Sequence, residues 1–179
     1  MIYMFIAEGF EEIEALCPLD LMRRAGLDVT TVGVGGNSIT GAHGIEVKTD
    51  IRDTEFRADD LEMVFLPGGM PGTINLASSK IVINAINSAV ECDSYIAAIC
   101  AAPSILGDMG LLNGKQAVCY PGFEDRLTGA TIPDSKVVLD DNILTAKGMG
   151  AALEMGLKIV EMFRGRDASE ALRHAVIAD

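Results

Sequence analysis

A chain of 179 residues, 49% hydrophobic and 22% charged, is long enough for one globular core and short for two, and its composition is not that of a disordered protein. The net charge of −12, from 26 acidic against 14 basic residues, repels phosphate backbones and argues against nucleic-acid binding as the main task. No stretch approaches the ~18 continuous apolar residues of a membrane span, and MIYMFIAEGFEE at the N-terminus lacks the basic leader of a signal peptide. A single domain over 1–179, in the cytoplasm and away from any membrane, is the expectation.

In chain order, IYMFIA (2–7) reads as a buried strand, and EEIEALCPLDLMRRAG (11–26) as a helix with Ile13, Leu16, Leu19 and Met22 on one face. Pro18 is expected to kink that helix or begin a second piece, and Gly26 to stop it. A strand follows at 28–34, then a Gly-rich hairpin appended to the sheet over 35–54. MVFLPGG (63–69) is a buried strand running into a Pro-Gly-Gly loop, 79–91 is helical, and YIAAI (95–99) is another buried strand. Residues 102–112 read as helix, QAVCY (116–120) as extended, and 136–148 as a hairpin turning at Asp141-Asn142. In the next helix Leu153, Leu157 and Val160 form the apolar stripe, and 168–177 closes the chain as a terminal helix.

Strands alternating with crossover helices predict a flavodoxin-like three-layer α/β/α sandwich with a largely parallel sheet. In such sheets sites form beyond the carboxyl ends of the strands. Glu8-Gly9, Pro67-Gly68-Gly69, Cys100 and Gly148 each follow a strand, so this fold collects them along one edge.

Cys100 is the sharpest of these signals. It stands where a strand turns into a helix, with Ala101 and Ala102 small enough to let the turn close and Pro103 suited to a first helical turn. This is the logic of a nucleophile elbow, and the helix start favours a thiolate of lowered pKa. The competing reading is a structural cysteine ending a core strand. Cys17, Cys92 and Cys119 read as small core hydrophobes. With no CxxC pair and only His43 and His174 as histidines, no metal site is expected. Glu11 and Glu12 read as helix-start acids, whereas Glu14 shares the apolar spacing and fits equally a helix-start acid or a carboxyl facing the thiol. Gly68 and Gly69 allow backbone N–H groups to approach a ligand closely.

These residues together resemble the DJ-1/ThiJ/PfpI family, within the class I glutamine amidotransferase-like superfamily. AEGFEEIEA (7–15), PLDLMRRAG (18–26), FLPGGMPG (65–72), AAICAAPSIL (97–106) and TAKGMGAALEMGLKIVE (145–161) carry the resemblance over nearly the whole chain. It implies that Cys100 is the reactive, oxidisable thiol, Glu14 a protonated carboxyl beside it, and Gly69 and Ala101 backbone donors. It also implies a homodimer, with Arg24 reaching the neighbouring subunit's site. Tyr120 stands where some relatives carry a histidine, and His43 where relatives often have an arginine near the dimer contact. Ala101 occupies the place of the histidine of the proteolytic branch, which disfavours a protease.

Two functions follow as expectations. One is a cysteine-dependent enzyme without cofactor, acting on a small reactive aldehyde or glycated adduct, as a glyoxalase III or deglycase. The other is a redox sensor or chaperone of oxidative stress that uses Cys100 without catalysis.

Overall fold

A computed structural model describes residues 1–178. Its centre is a seven-stranded sheet, built from β1 (Ile2–Ile6), β2 (Val29–Gly33), β5 (Ile51–Arg52), β6 (Met63–Leu66), β7 (Tyr95–Ile99), β8 (Val137–Asp140) and β9 (Ile143–Ala146). The strand order is β5-β2-β1-β6-β7-β9-β8, parallel except for the antiparallel β8–β9 pair. The inner strands are apolar without alternation because helices cover both faces.

Adjacent residues of each strand feed different cores. Phe5, Val64, Leu66, Ile96 and Ala98 pack with Val82, Ala85 and Ile86 of α3 (Lys80–Glu91) and with Ile105 and Leu106 of α4 (Pro103–Asp108). Met4, Ile6, Phe65, Ala97 and Ile99 face the other way, onto Ala15, Leu19 and Met22 of α1 (Glu12–Arg24) and Met155 and Ile159 of α5 (Ala152–Arg164). The expected three-layer α/β/α sandwich is therefore the observed one. Among the described residues, no helix is long and apolar enough to cross a membrane.

Several local expectations are corrected. The α1 helix runs unbroken through Pro18, whose buried ring lies against α5 where Gly156 leaves room; a Cβ there would meet Leu21 Cδ1 at 2.6 Å and Pro18 Cα at 3.0 Å. Ile13 is 48% exposed and Leu153 is 37% exposed. Leu19 and Met22 on α1 and Leu157 and Val160 on α5 are buried as expected, joined by Ala15 and Pro18 on α1 and by Met155, Gly156 and Ile159 on α5. The 35–54 hairpin, β3 (Ser38–Thr40) with β4 (Glu46–Lys48), forms its own two-stranded sheet, and β5 alone joins the main one. A short helix α2 (Gly72–Ser78) precedes α3, and α4 ends at Asp108.

Residues 116–120 form no strand, only an isolated Gln116–Thr131 bridge. β7 is flanked by β6 and β9, and β9 by β8, and the segment pairs with none of these strands, nor with the open outer edge of β8. Its Val118 N–H donates instead to Thr145 Oγ1 at 3.0 Å. The terminal helix α6 (Arg166–Ala175) lies against α5. Of the three remaining cysteines only Cys119 is buried; Cys17 is half-buried and Cys92 exposed, so the core reading holds for one of them.

Candidate active site around Cys100

The main chain at Cys100 has φ 66, a left-handed conformation that residues with a Cβ rarely adopt. Two hydrogen bonds fix it: its N–H donates to the Ala146 carbonyl at 2.9 Å, and its carbonyl accepts from the Tyr120 N–H at 2.8 Å. Buried Ala101 and Ala102 lie behind it, and Pro103 opens α4. The sulfur is thereby presented at the carboxyl edge of the sheet. The N–H groups of Gly69 and Ala101 donate to it, and Glu14 hydrogen-bonds it.

Glu14 arrives from the first turn of α1 and is 1% exposed. Its Oε2 accepts from the Gly68 N–H at 3.0 Å, and the Met149 N–H bonds it as well. Gly68 is where the two reactive side chains close on one backbone. A Cβ there would lie 2.5 Å from Cys100 Cβ and 2.5 Å from Glu14 Oε2. Next to it, Gly69 has φ 90, which turns its N–H toward the sulfur. Gly68→Ala is expected to destabilise the fold by about 2 kcal/mol or more. Urea unfolding checks this, and a midpoint indistinguishable from wild type would show that the loop has slack.

Thiol and carboxyl titrate as a coupled pair. Burial pushes the Glu14 carboxyl up to about 7; the Cys100 hydrogen bond opposes the rise, Glu11's charge adds to it, and the Gly68 and Met149 N–H groups oppose it. Burial also pushes the Cys100 thiol up, to about 12, with Glu14's charge and hydrogen bond adding to the rise; the Gly69 and Ala101 N–H groups pull it down without cancelling it. The expected lowered thiol pKa is thus overturned. A helix start favours the anion, but desolvation and an adjacent carboxylate outweigh it. Glu14 is likewise not simply a protonated acid: near neutrality it is divided between acid and base.

A cavity of about 400 Å³ opens over the sulfur. Of the residues expected at the site, Glu14, His43, Gly69, Cys100, Ala101 and Tyr120 line it, and Gly68 sits behind, holding Glu14. Arg24, expected at a neighbouring subunit's site, ends α1 and pairs with Asp20 of its own helix at 2.6 Å. Glu11, Met70, Phe123 and Met149 also line the cavity and were not foreseen. Glu11, Met70 and Met149 lie within three residues of a flagged strand end, whereas Phe123 had no signal beyond its nearness to Tyr120.

Glu12 is no plain helix-start acid. It is 2% exposed, accepts from the His43 N–H at 2.8 Å through Oε1, and faces His43 Nδ1 at 2.8 Å through Oε2. Burial opposes its ionisation, but these bonds prevail and hold its pKa below the ordinary carboxylate value. The same hydrogen bond raises that of His43. Glu11, Glu12 and His43 bring donor atoms within 4.8 Å of one another. Both Glu12 oxygens are engaged by His43, so the cluster is built as a clasp joining the β3–β4 hairpin to α1.

The chain matches the DJ-1/PfpI family over residues 1–162. It is 34% identical to Protein dj-1beta of Drosophila melanogaster over 167 residues, covering 92% of this chain and 89% of that one. It is 30% identical to the glutathione-independent glyoxalase DJR-1.2 of Caenorhabditis elegans over 167 residues, with coverages of 92% and 89%. Among solved structures, oxidized Toxoplasma gondii DJ-1 superposes with a TM-score of 0.94 at 28% identity, covering 98% of this chain and 97% of that one. Drosophila melanogaster DJ-1beta gives 0.94 at 31% identity, with 98% and 96% covered.

Proposed function

The chain belongs to the DJ-1/PfpI family, and from that premise we propose that it is a cysteine-dependent enzyme acting on small reactive aldehydes, with conversion of methylglyoxal to lactate as its defining reaction. The observation that carries this reading is the Cys100–Glu14 pair, a half-buried thiol hydrogen-bonded to a buried carboxyl beneath an open cavity. A relative named as a glutathione-independent glyoxalase supports it.

In the proposed sequence, Glu14 as carboxylate takes the thiol proton while the sulfur adds to the aldehyde carbon. The resulting hemithioacetal oxygen sits near the Gly69 and Ala101 N–H groups. The hydrogen on the thiol-bearing carbon is then removed as a proton and returned to the neighbouring carbonyl carbon, giving a 2-hydroxy thioester. One carbon is oxidised and its neighbour reduced, so no external electron acceptor enters. Water cleaves the thioester, releasing lactate and the thiol.

Carboxylate with thiol, or acid with thiolate, is the reactive form, and both carry one proton. The pair holds one proton from about pH 7 to about pH 12. Turnover is therefore expected to rise with pH through about 7. Lactate release from methylglyoxal by the purified protein, followed across pH, is the test. Activity that falls through this range would reject Glu14 as the base.

A cytoplasmic setting that keeps thiols reduced goes with this reading. So does a homodimer: Ile13 and Leu153 leave apolar surface on the outer sides of α1 and α5. One observation favours the sensor reading, namely that the Gly69 and Ala101 N–H groups already donate to the sulfur and suit a sulfinate. Absent turnover together with peroxide oxidation confined to Cys100 would move the assignment there.

A further inference from the structure

The main sheet has two outer strands, and they are finished differently. β5 is only Ile51–Arg52, too short to template another strand, whereas β8 runs over Val137–Asp140 without a proline. No further strand covers its far side.

The hairpin sets which backbone groups of β8 face outward. Val137 stands opposite Ala146 and Asp140 opposite Ile143, and the Lys147 N–H donates to the Lys136 carbonyl at 3.0 Å. Hydrogen-bonded pairs recur at every second residue of an antiparallel ladder. Lys136, Val138 and Asp140 therefore bond toward β9, and Val137 and Leu139 turn their N–H and C=O groups away from it. The Val137 carbonyl agrees, since it accepts from Ser135 Oγ at 2.8 Å. Among the described residues, no group outside the hairpin bonds the Val137 N–H or the Leu139 N–H and carbonyl.

The side chains alternate as well. Val137 and Leu139 line a groove of about 280 Å³ between β8, α5 and α6, with Leu157 beside them. The other face carries exposed Lys136, buried Val138, and Asp140, whose Oδ2 accepts from the Gln116 N–H at 2.6 Å. Lys136-Val137-Val138-Leu139-Asp140 thus has opposite charges at its ends and apolar residues between. A second copy running antiparallel is its complement.

We infer that this edge pairs with the same edge of a second copy, about a two-fold axis at Val138. In that register Val137 of each copy faces Leu139 of the other, and each such pair exchanges two main-chain hydrogen bonds. The Val137 carbonyl keeps a lone pair for this beside its Ser135 bond. Lys136 of each copy stands opposite Asp140 of the other, in the closer kind of cross-strand pair, where unlike charges attract. Sliding the ladder by two residues sets Lys136 against Val138 or beyond the strand end, and forfeits a hydrogen-bonded pair. The interface is isologous and lies at the end of the sheet, whereas the homodimer proposed above uses the outer sides of α1 and α5. It does not rest on the enzyme reading. A ladder this short buries less than the ~1,200 Å² of a standard interface, so the pairing is weak and fills at high protein concentration.

Sedimentation velocity of the full chain, from low micromolar to near-millimolar protein, reads it. Wild type is expected to form a species of twice the mass of its smallest assembly, growing with concentration. Lys136→Asp sets acid against acid at both ends of the ladder and is expected to weaken that step about tenfold or more. Asp140→Lys is expected to do the same with base against base. An equimolar mixture of the two variants again opposes unlike charges at both ends, and the step should return to within about threefold of wild type. Lys136 is exposed, so its variant decides even if Asp140→Lys, which gives up the Gln116 bond, fails to fold.

Variants that lose only the larger species uphold the edge pairing and leave a separate dimer interface in place; variants that become monomeric uphold it and leave none. A wild type of constant mass across the range would overturn it. So would a Lys136→Asp variant that associates as wild type does, or folded variants that stay apart when mixed.

Discussion

Cys100→Ser is expected to lower methylglyoxal turnover by at least about three orders of magnitude while leaving stability within about 1 kcal/mol of wild type. The replaced atom is one non-hydrogen atom of similar shape, and the two main-chain bonds that set the residue's conformation, to Ala146 and from Tyr120, do not involve the side chain. The chemistry is a different matter. Glu14, at about 7, has to take a proton from a thiol at about 12. From an alcohol, a far weaker acid than a thiol, the gap widens further. No histidine stands between carboxyl and sulfur to bridge it: His43, in the cavity wall, is engaged with Glu12. Lactate assays together with thermal unfolding decide the point. A serine variant that keeps turnover within about tenfold of wild type would remove Cys100 from the chemistry.

Glu14→Gln is expected to separate activity from stability. Turnover should fall by about a hundredfold or more, since the amide cannot accept the thiol proton. Stability should change with pH in the opposite sense. Burial raises the folded-state pKa of Glu14 from 4.5 to about 7, so the folded protein binds this proton more tightly than the unfolded chain. For a carboxyl shifted upward, that stabilisation is complete below the unfolded value and is lost as pH rises through the folded one. The difference, about 2.5 units, corresponds to about 3 kcal/mol. The glutamine variant has no such loss. Measured by urea unfolding at about pH 4 and about pH 9, the stability difference should therefore shift toward the variant by about 3 kcal/mol. Any fixed contribution from altered contacts with the Gly68 and Met149 N–H groups cancels in that shift. A difference that does not vary with pH would mean that Glu14 ionises as freely in the fold as in the unfolded chain.

Much of this arrangement is legible in the sequence because it is local or topological. The apolar runs at 2–7, 63–66, 95–99 and 143–146 are strands, and strand ends in a parallel sheet share an edge, so Gly68, Cys100 and Gly148 meet without any knowledge of side-chain geometry. The partner of Glu14 was suggested by its place on the apolar side of α1. What resisted reading depends on balance or on distance along the chain. The direction of the Cys100 shift is set by burial and one carboxylate against two N–H groups, and a helix start speaks only for the latter. Glu12 reaches a histidine 31 residues away, and spacing within α1 shows nothing of it. Residues 116–120 have the composition of a strand, yet their one ladder contact, Gln116 with Thr131, lies outside the main sheet.

The division of each strand between two non-touching cores has a consequence for how the chain tolerates change. Helices α3 and α4 lie across the sheet from α1, the carrier of Glu14. A methyl group lost beneath α3 is felt there and not beneath α1, because the sheet backbone stands between. Sequence drift on the α3 side is thus free of the geometry between carboxyl and sulfur, whereas drift under α1 moves Glu14 itself. Cys100 itself packs on the α1 side, while Ala102, two residues on, belongs to the core beneath α3 and α4. At that point the two histories of substitution must agree.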